Sequence, residues 1–261
     1  MKSLFLATAA VAALAAAPAV AQDGVGSLGI TYQNTEVEAF GLEGEAESAI
    51  IDAAFAMPVT ADWTVTLDGT FGYAFDSETG GDNSAIDGRV HVSRNFGNVR
   101  VGGFAGGTEA GDANLWSFGG EAQAYMDAIT LTGSLAYETV EGSDADIWSL
   151  GGDAAYYITP GFRVNAGAGY TTVDLDGFDT DGWQANIGTE YQFADTGFSL
   201  TANYGHSELE DFDLQADTFT VGFRFSFGGD LQTRERSGAD LGRSAAGIGG
   251  LVGGLLTAPA L

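Results

Sequence analysis

The sequence contains no cysteine. Disulfide frameworks are therefore excluded, and so is anchoring through a lipidated cysteine. Lysine occurs only at Lys2, and the 9 Lys plus Arg residues face 36 Asp plus Glu, for a net charge of −27. Such a chain repels the phosphates of nucleic acid and has no basic patch with which to dock on an anionic membrane surface. Proline is scarce as well, with 4 residues. Pro58 and Pro160 fall between apolar-alternating segments, where a missing N–H costs nothing. No convincing helical period appears before the C-terminal tail. Yet 45% of the residues are hydrophobic and 40 are glycine, which is not the profile of an acidic disordered polymer.

The N-terminus opens with Met1-Lys2-Ser3, continues as an Ala/Leu/Val run and ends with Pro18 and Ala19-Val20-Ala21. A positive start, a short apolar stretch and a small-residue site make residues 1–21 a secretory signal peptide cleaved after Ala21. The run is too short and too alanine-rich for a membrane anchor. An exported chain without disulfides needs a large core or a closed sheet.

From Gly24 to Phe227 apolar residues take every second place so regularly that about twelve strands are predicted. They are Val25–Asn34, Ala46–Met57, Trp63–Phe75, Ile86–Phe96, Val99–Gly107 and Leu115–Met126, then Ile129–Thr139, Ile147–Ile158, Phe162–Thr172, Gly182–Phe193, Phe198–Ser207 and Ala216–Phe227. Tight joins such as "TPG" and "ADTG" alternate with longer acidic ones such as "TEVEAFGLEGE" and "HSELEDFDLQ". Transmembrane barrels segregate short turns and long loops to opposite ends in this way. Aromatics mark both ends of the apolar face. Trp63, Phe162, Phe193 and Phe198 stand at the short-turn end, and Phe75, Trp116, Trp148, Tyr170 and Trp183 at the other. Two aromatic belts around an aliphatic band place the apolar face in lipid. The expected fold is an all-β transmembrane antiparallel up-and-down barrel over residues 22–229, monomeric or loosely oligomeric.

The leader, the alternating strands and the Phe-ended last strand make the chain similar to the small porin-like outer-membrane β-barrels of Gram-negative bacteria. That resemblance implies residence among outer-membrane lipid and lipopolysaccharide, passage of small hydrophilic solutes, and insertion by the barrel-assembly machinery. In that family a terminal Phe closes the barrel, and Phe227 is the matching residue. The chain departs from the pattern by continuing past it. Residues 230–261 are expected to form a flexible periplasmic tail, the alternatives being a plug folded back into the lumen or a contact with a periplasmic partner.

Parity turns Arg89, Arg100, Arg163 and Arg224 inward together with Asp52, Asp68, Glu121, Asp153 and Glu190. These residues are candidates for a charged constriction; the alternative is a network of ion pairs that fills the lumen of a structural or adhesion barrel. The remaining acids fall in the long joins, so the outer mouth is expected to be negative and to favour cations. Asp174, Asp176, Asp179 and Asp181 in "DLDGFDTDG" resemble a calcium loop, but Phe178 and the lack of a bidentate Glu break that pattern. His91 and Ser93 in "HVSRN" bring to mind the lipase barrels, yet their parity faces them into the lumen near the short turns, away from lipid substrate. No metal-ligand spacing, cofactor motif or catalytic constellation is present.

Overall fold

The structure, a computed structural model, describes residues 24–75, 84–111, 113–143, 145–175, 178–210 and 214–241. Residues 1–21, expected to be the signal peptide, lie outside that set. Alternating polarity from Val25 onward produces twelve strands. The first six are β1 (Val25–Ala39), β2 (Leu42–Pro58), β3 (Trp63–Ala74), β4 (Ser84–Asn95), β5 (Val99–Ala110) and β6 (Ala113–Met126). The rest are β7 (Ile129–Val140), β8 (Ala145–Thr159), β9 (Phe162–Leu175), β10 (Phe178–Gln192), β11 (Phe198–Leu209) and β12 (Leu214–Phe227). Each pairs antiparallel with its sequence neighbours, and β12 returns to β1 to close the barrel. The seam runs from Gly26 opposite Phe227 to Ala39 opposite Leu214, so neither terminal strand leaves an open edge. Closure satisfies the backbone amides and carbonyls of every strand, as hydrocarbon requires.

The burial pattern confirms which face is outside. In β8, Asp153, Ala155 and Tyr157 are buried, whereas Trp148, Leu150, Tyr156 and Ile158 are exposed. The same holds around the wall: Ile30, Leu131, Ile187 and Phe223 all point away from the lumen and are exposed. Trp63, Phe193 and Phe198 form the lower belt, with Trp116, Trp148, Tyr170 and Trp183 in the upper one. No core lies between packed layers; the apolar surface is on the outside, where lipid covers it.

Two expectations need correction. The strands are longer than predicted, and several of the acidic "loops" are wall. The stretch expected as a long join over 35–45 is almost all strand, turning only at Phe40 and Gly41, whose φ values of 54° and 74° suit a two-residue type I′ hairpin. Thr35, Val37 and Ala39 continue the inward row beyond the apolar band, while Glu36 and Glu38 face outward. Polarity alone marked this segment as loop, but above the hydrocarbon a polar outer face is what a strand should carry. As a consequence, acids oppose acids across the outer wall: Glu36 faces Glu45, Glu38 faces Glu43, and Asp174 faces both Asp146 and Asp179.

The second correction concerns the tail. Residues 230–241, expected as the start of a flexible extension, are folded. Asp230 caps a short helix, α1 (Leu231–Arg236), by accepting a bond from the Thr233 amide. Leu231, Arg234, Glu235 and Leu241 have essentially no exposed surface. Residues 242–261 lie outside the described set.

Ile187 sits midway between Trp183 and Tyr191 on the lipid face of β10 and is 61% exposed. Ile187→Arg is expected to lower stability in lipid vesicles by about 2–4 kcal/mol, the cost of a cation near the bilayer midplane. Glu38→Arg, above the upper belt and opposite Glu43, should cost little; reversible urea unfolding of both variants checks the contrast.

Candidate functional site: a lumenal chamber and its floor

The candidate site is the lumen, built from the inward-facing rows of all twelve strands. At mid-height the inward side chains are half-exposed, among them Thr31, Asp52, Asp68, Asn165, Asn203 and Arg224. Toward the short-turn end they become buried, as with Thr66, Arg100, Tyr157 and Glu190. Toward the long-join end small apolar residues take over: Ala39, Ala46, Ala74, Ala110, Ala145 and Ala216 are buried, beside a cluster of Leu115, Ile147 and Val173. On β4 and β11 that apolar collar is interrupted, and Ala85, Asp87, Gly205 and Ser207 remain half-exposed. The lumen is thus a polar chamber with a floor below it and a partial collar above.

Inward glycines keep the chamber clear. Large inward side chains lie sideways over glycines of the adjoining strand instead of crossing the lumen. A Cβ at Gly106 would fall 2.5 Å from Arg89 Cγ, and one at Gly167 would fall 2.6 Å from Asn186 Oδ1. At Gly188 it would meet Asn203 Oδ1 at 2.8 Å, and at Gly222 both Thr31 and Thr201. Asp52 occupies the space over Gly29, and Phe104 that over Gly119, in the same way. These glycines are required by close approach.

The floor is organised around Glu190, which is 1% exposed. Its Oε2 accepts from Arg163 Nη2 at 2.8 Å and from both Arg224 and Arg234 at 3.4 Å, and Ser199 donates to Oε1 at 2.7 Å. Arg224 also reaches Asp52 at 2.9 Å. Asp240, from the tail, accepts from Arg163 at 2.9 Å and from Arg234 at 3.1 and 3.2 Å. Arg234 donates to Ser226 as well. Burial alone would lower the proton affinity of Arg234, but Asp240 and Glu190 more than offset it, so the net shift is upward and the guanidinium stays charged. A carboxylate this deeply buried persists only because several cations and a hydroxyl surround it.

The other predicted residues divide into separate groups. Arg100 binds Ser93, the Tyr125 hydroxyl and the backbone carbonyl of Arg236. His91 lies between two carboxylates: Nδ1 is 2.9 Å from Glu121 Oε1, and Nε2 is 2.5 Å from Asp68 Oδ2. With both nitrogens so engaged and Ser93 held by Arg100, serine and histidine form no nucleophile–base pair. Arg89 lies 3.6 Å from Asp87 and over the Phe104 ring. Asp153 accepts from Asn165 at 3.0 Å. The nine predicted charges are therefore all inward, but some gather around Glu190 and some around His91, while Arg89, Arg100 and Asp153 keep other partners, so they do not form one ring.

Phe227 faces outward at the β1–β12 seam, 6.1 Å from Phe55. Of the calcium candidates, Asp174 and Asp179 oppose each other on the outer wall and Asp176 lies outside the described residues. Among the described residues no three metal-ligating side chains converge. Glu235 and Asp240 were not anticipated as site residues, and Arg234 only as one of the tail arginines that could approach the acidic lumen. The one local signal was the cap pattern of Asp230 and Thr233, which marks a helix start and says nothing of where the helix docks.

No protein-family model matches the sequence, and no curated protein matches it. Solved structures do share the fold. An outer membrane channel from Pseudomonas putida F1 superposes with a TM-score of 0.59 at 10% identity, covering 78% of this chain and 95% of that one. The translocator domain of the autotransporter NalP from Neisseria meningitidis gives 0.53 at 15% identity, over 85% and 98% of the two chains. The architecture is that of outer-membrane β-barrels.

Glu190→Gln keeps the shape but leaves three guanidiniums to share Asp52 and Asp240. Breaking a buried pair in this way is expected to cost about 3–5 kcal/mol. Urea unfolding and hydrogen exchange at β10 and α1 should both show the loss, with Glu190→Asp falling between.

Proposed function

We propose that the barrel is a porin-like channel for passive diffusion of small hydrophilic solutes, closed at its short-turn end in the state described. The observation that carries this reading is the sideways packing of inward side chains over glycines. A barrel that only needed filling would direct Arg89, Asn186 and Asn203 across the lumen; here they lie against the wall and leave a half-exposed polar surface. The reading places the chain in the Gram-negative outer membrane, among lipopolysaccharide, inserted by the barrel-assembly machinery with Phe227 as its closing signal.

A mild cation preference accompanies it. Asp87 and Glu138 also face inward, adding to Asp52, Asp68, Glu121, Asp153 and Glu190, so carboxylates outnumber the four wall arginines. A low-dielectric wall focuses that excess on the solution inside. The second reading, a non-conducting structural barrel, draws on the apolar collar and the folded tail, which narrow the lumen at both ends.

Planar-bilayer recording separates the two. The chain lacking residues 230–261 is expected to give stable conductance steps larger than those of the full chain, and cation selectivity should fall in Glu121→Gln/Asp153→Asn. Silence of both forms sinks the channel reading. Gly188→Leu provides an independent check: its side chain presses only on the tips of Asn203 and Asn165, so it should push them into the chamber and reduce the step size of the shortened barrel without unfolding it.

A further inference from the structure

Residues 230–241 do more than cover the floor; their contacts are those of a part that can leave it. The chain exits β12 at Phe227 through Gly228 and Gly229, with φ values of 90° and 138°. Both lie where L side chains are strained. A Cβ at Gly228 would also strike Val25, and one at Gly229 would come 2.8 Å from Thr233. Two glycines are the residues best able to change backbone direction here, and they stand between wall and tail.

Beyond them the main ion pairs close within each side of the boundary. Within the tail, Arg234 holds Asp240 through two nitrogens. Within the wall, Arg163 holds Glu190 and Arg224 holds Asp52. The contacts that cross, Arg234 to Glu190 and Arg163 to Asp240, join groups that each keep a partner of opposite sign after separation. Arg163, Glu190, Arg234 and Asp240 are therefore not left as lone buried charges, the condition that makes breaking an ion pair expensive; Glu235, which accepts from the Tyr157 hydroxyl at 2.6 Å, is the tail carboxylate that exchanges a crossing bond for water on release. Several other crossing bonds end on backbone oxygens that water can serve equally: Gln232 and Arg236 donate to Asp127, Arg100 to Arg236, and Thr66 to Gly238. The apolar contribution is small, with Leu231 against Ala155 and Tyr157, and Ala239 against Val25 and Ala56.

We propose that residues 230–241 are a gate, which leaves the short-turn mouth as one unit by rotation about Gly228 and Gly229. Docked, it closes the floor; undocked, it exposes a mouth lined by Arg100, Glu121, Tyr157 and Arg163. The consequence for solute passage rests on the channel reading, whereas the movement does not.

The absence of native cysteine allows a direct test. Ala155 is fully covered beneath Leu231 and Ala56 is 1% exposed beneath Ala239, at two separate parts of the boundary. Ala155→Cys and Ala56→Cys are placed singly in the full chain and in the chain lacking residues 230–261, reconstituted in vesicles. Both are then reacted with a membrane-impermeant maleimide from the short-turn side. The gate predicts that both sites label in the full chain at matching rates, and that both label faster in the shortened chain. Labelling of Ala56→Cys alone would mean that the segment frays from its far end, and would overturn release as a unit. Labelling of neither site in the full chain, with both reactive in the shortened one, would make the segment a fixed wall and overturn the gate. If both sites label yet neither chain conducts, the gate stands and the channel reading fails.

Discussion

No backbone amide or carbonyl can remain unpaired in hydrocarbon, and the whole molecule follows from that constraint. It forces β12 back onto β1 in a register that begins at Gly26 and Phe227, and it fixes which residues share a face. Once the seam is closed, parity assigns each side chain to lipid or to lumen, because a one-residue slip would exchange the two faces. Leu131, Ile187 and Phe223 can be exposed only because lipid is their solvent, and Glu190 can be ionised only because the same parity faces Arg163 and Arg224 toward it.

The floor shows how charge is managed where water is excluded. Glu190 is shared by three guanidiniums, one of them from the tail, and a serine hydroxyl takes its second oxygen. Balance of this kind is local: the His91 group and the Arg89 group, further round the wall, satisfy themselves with different partners. Glycines beside Asp52, Arg89 and Glu121 let members of all three groups fold onto the wall. Polar lining and open space are therefore obtained from the same alternation of large and absent side chains.

Much of this was legible in the sequence, and the parts that were not have physical reasons. A period of two identifies strands reliably when one face meets lipid, so all twelve strands and the inward direction of Arg163, Glu190 and Arg224 could be read directly. The upper strand ends escaped notice because Glu36, Glu38, Glu43 and Glu45 resemble a loop; the row of Thr35, Val37 and Ala39 carried the missing period. Which charges meet depends on register between strands distant in sequence. His91 and Glu121 are neighbours only through β5, and no local pattern reveals that. Arg234 and Asp240 belong to a segment too short for any period, whose place is set by the tertiary charges it meets.

The outer wall above the upper belt carries the reverse arrangement. There Glu36 faces Glu45, Glu38 faces Glu43, and Asp174 stands between Asp146 and Asp179, while nearly every guanidinium is in the lumen or the floor. Like charges directly opposite in a sheet repel, and dissolved ions screen exposed pairs far better than buried ones. The crown of the barrel is accordingly a polyelectrolyte whose cohesion rises with ionic strength, and the floor is a compact salt that hardly senses it. A single closed sheet thus has two ends that respond differently to the same medium, with the brackishness of the surroundings setting how firmly the crown stands.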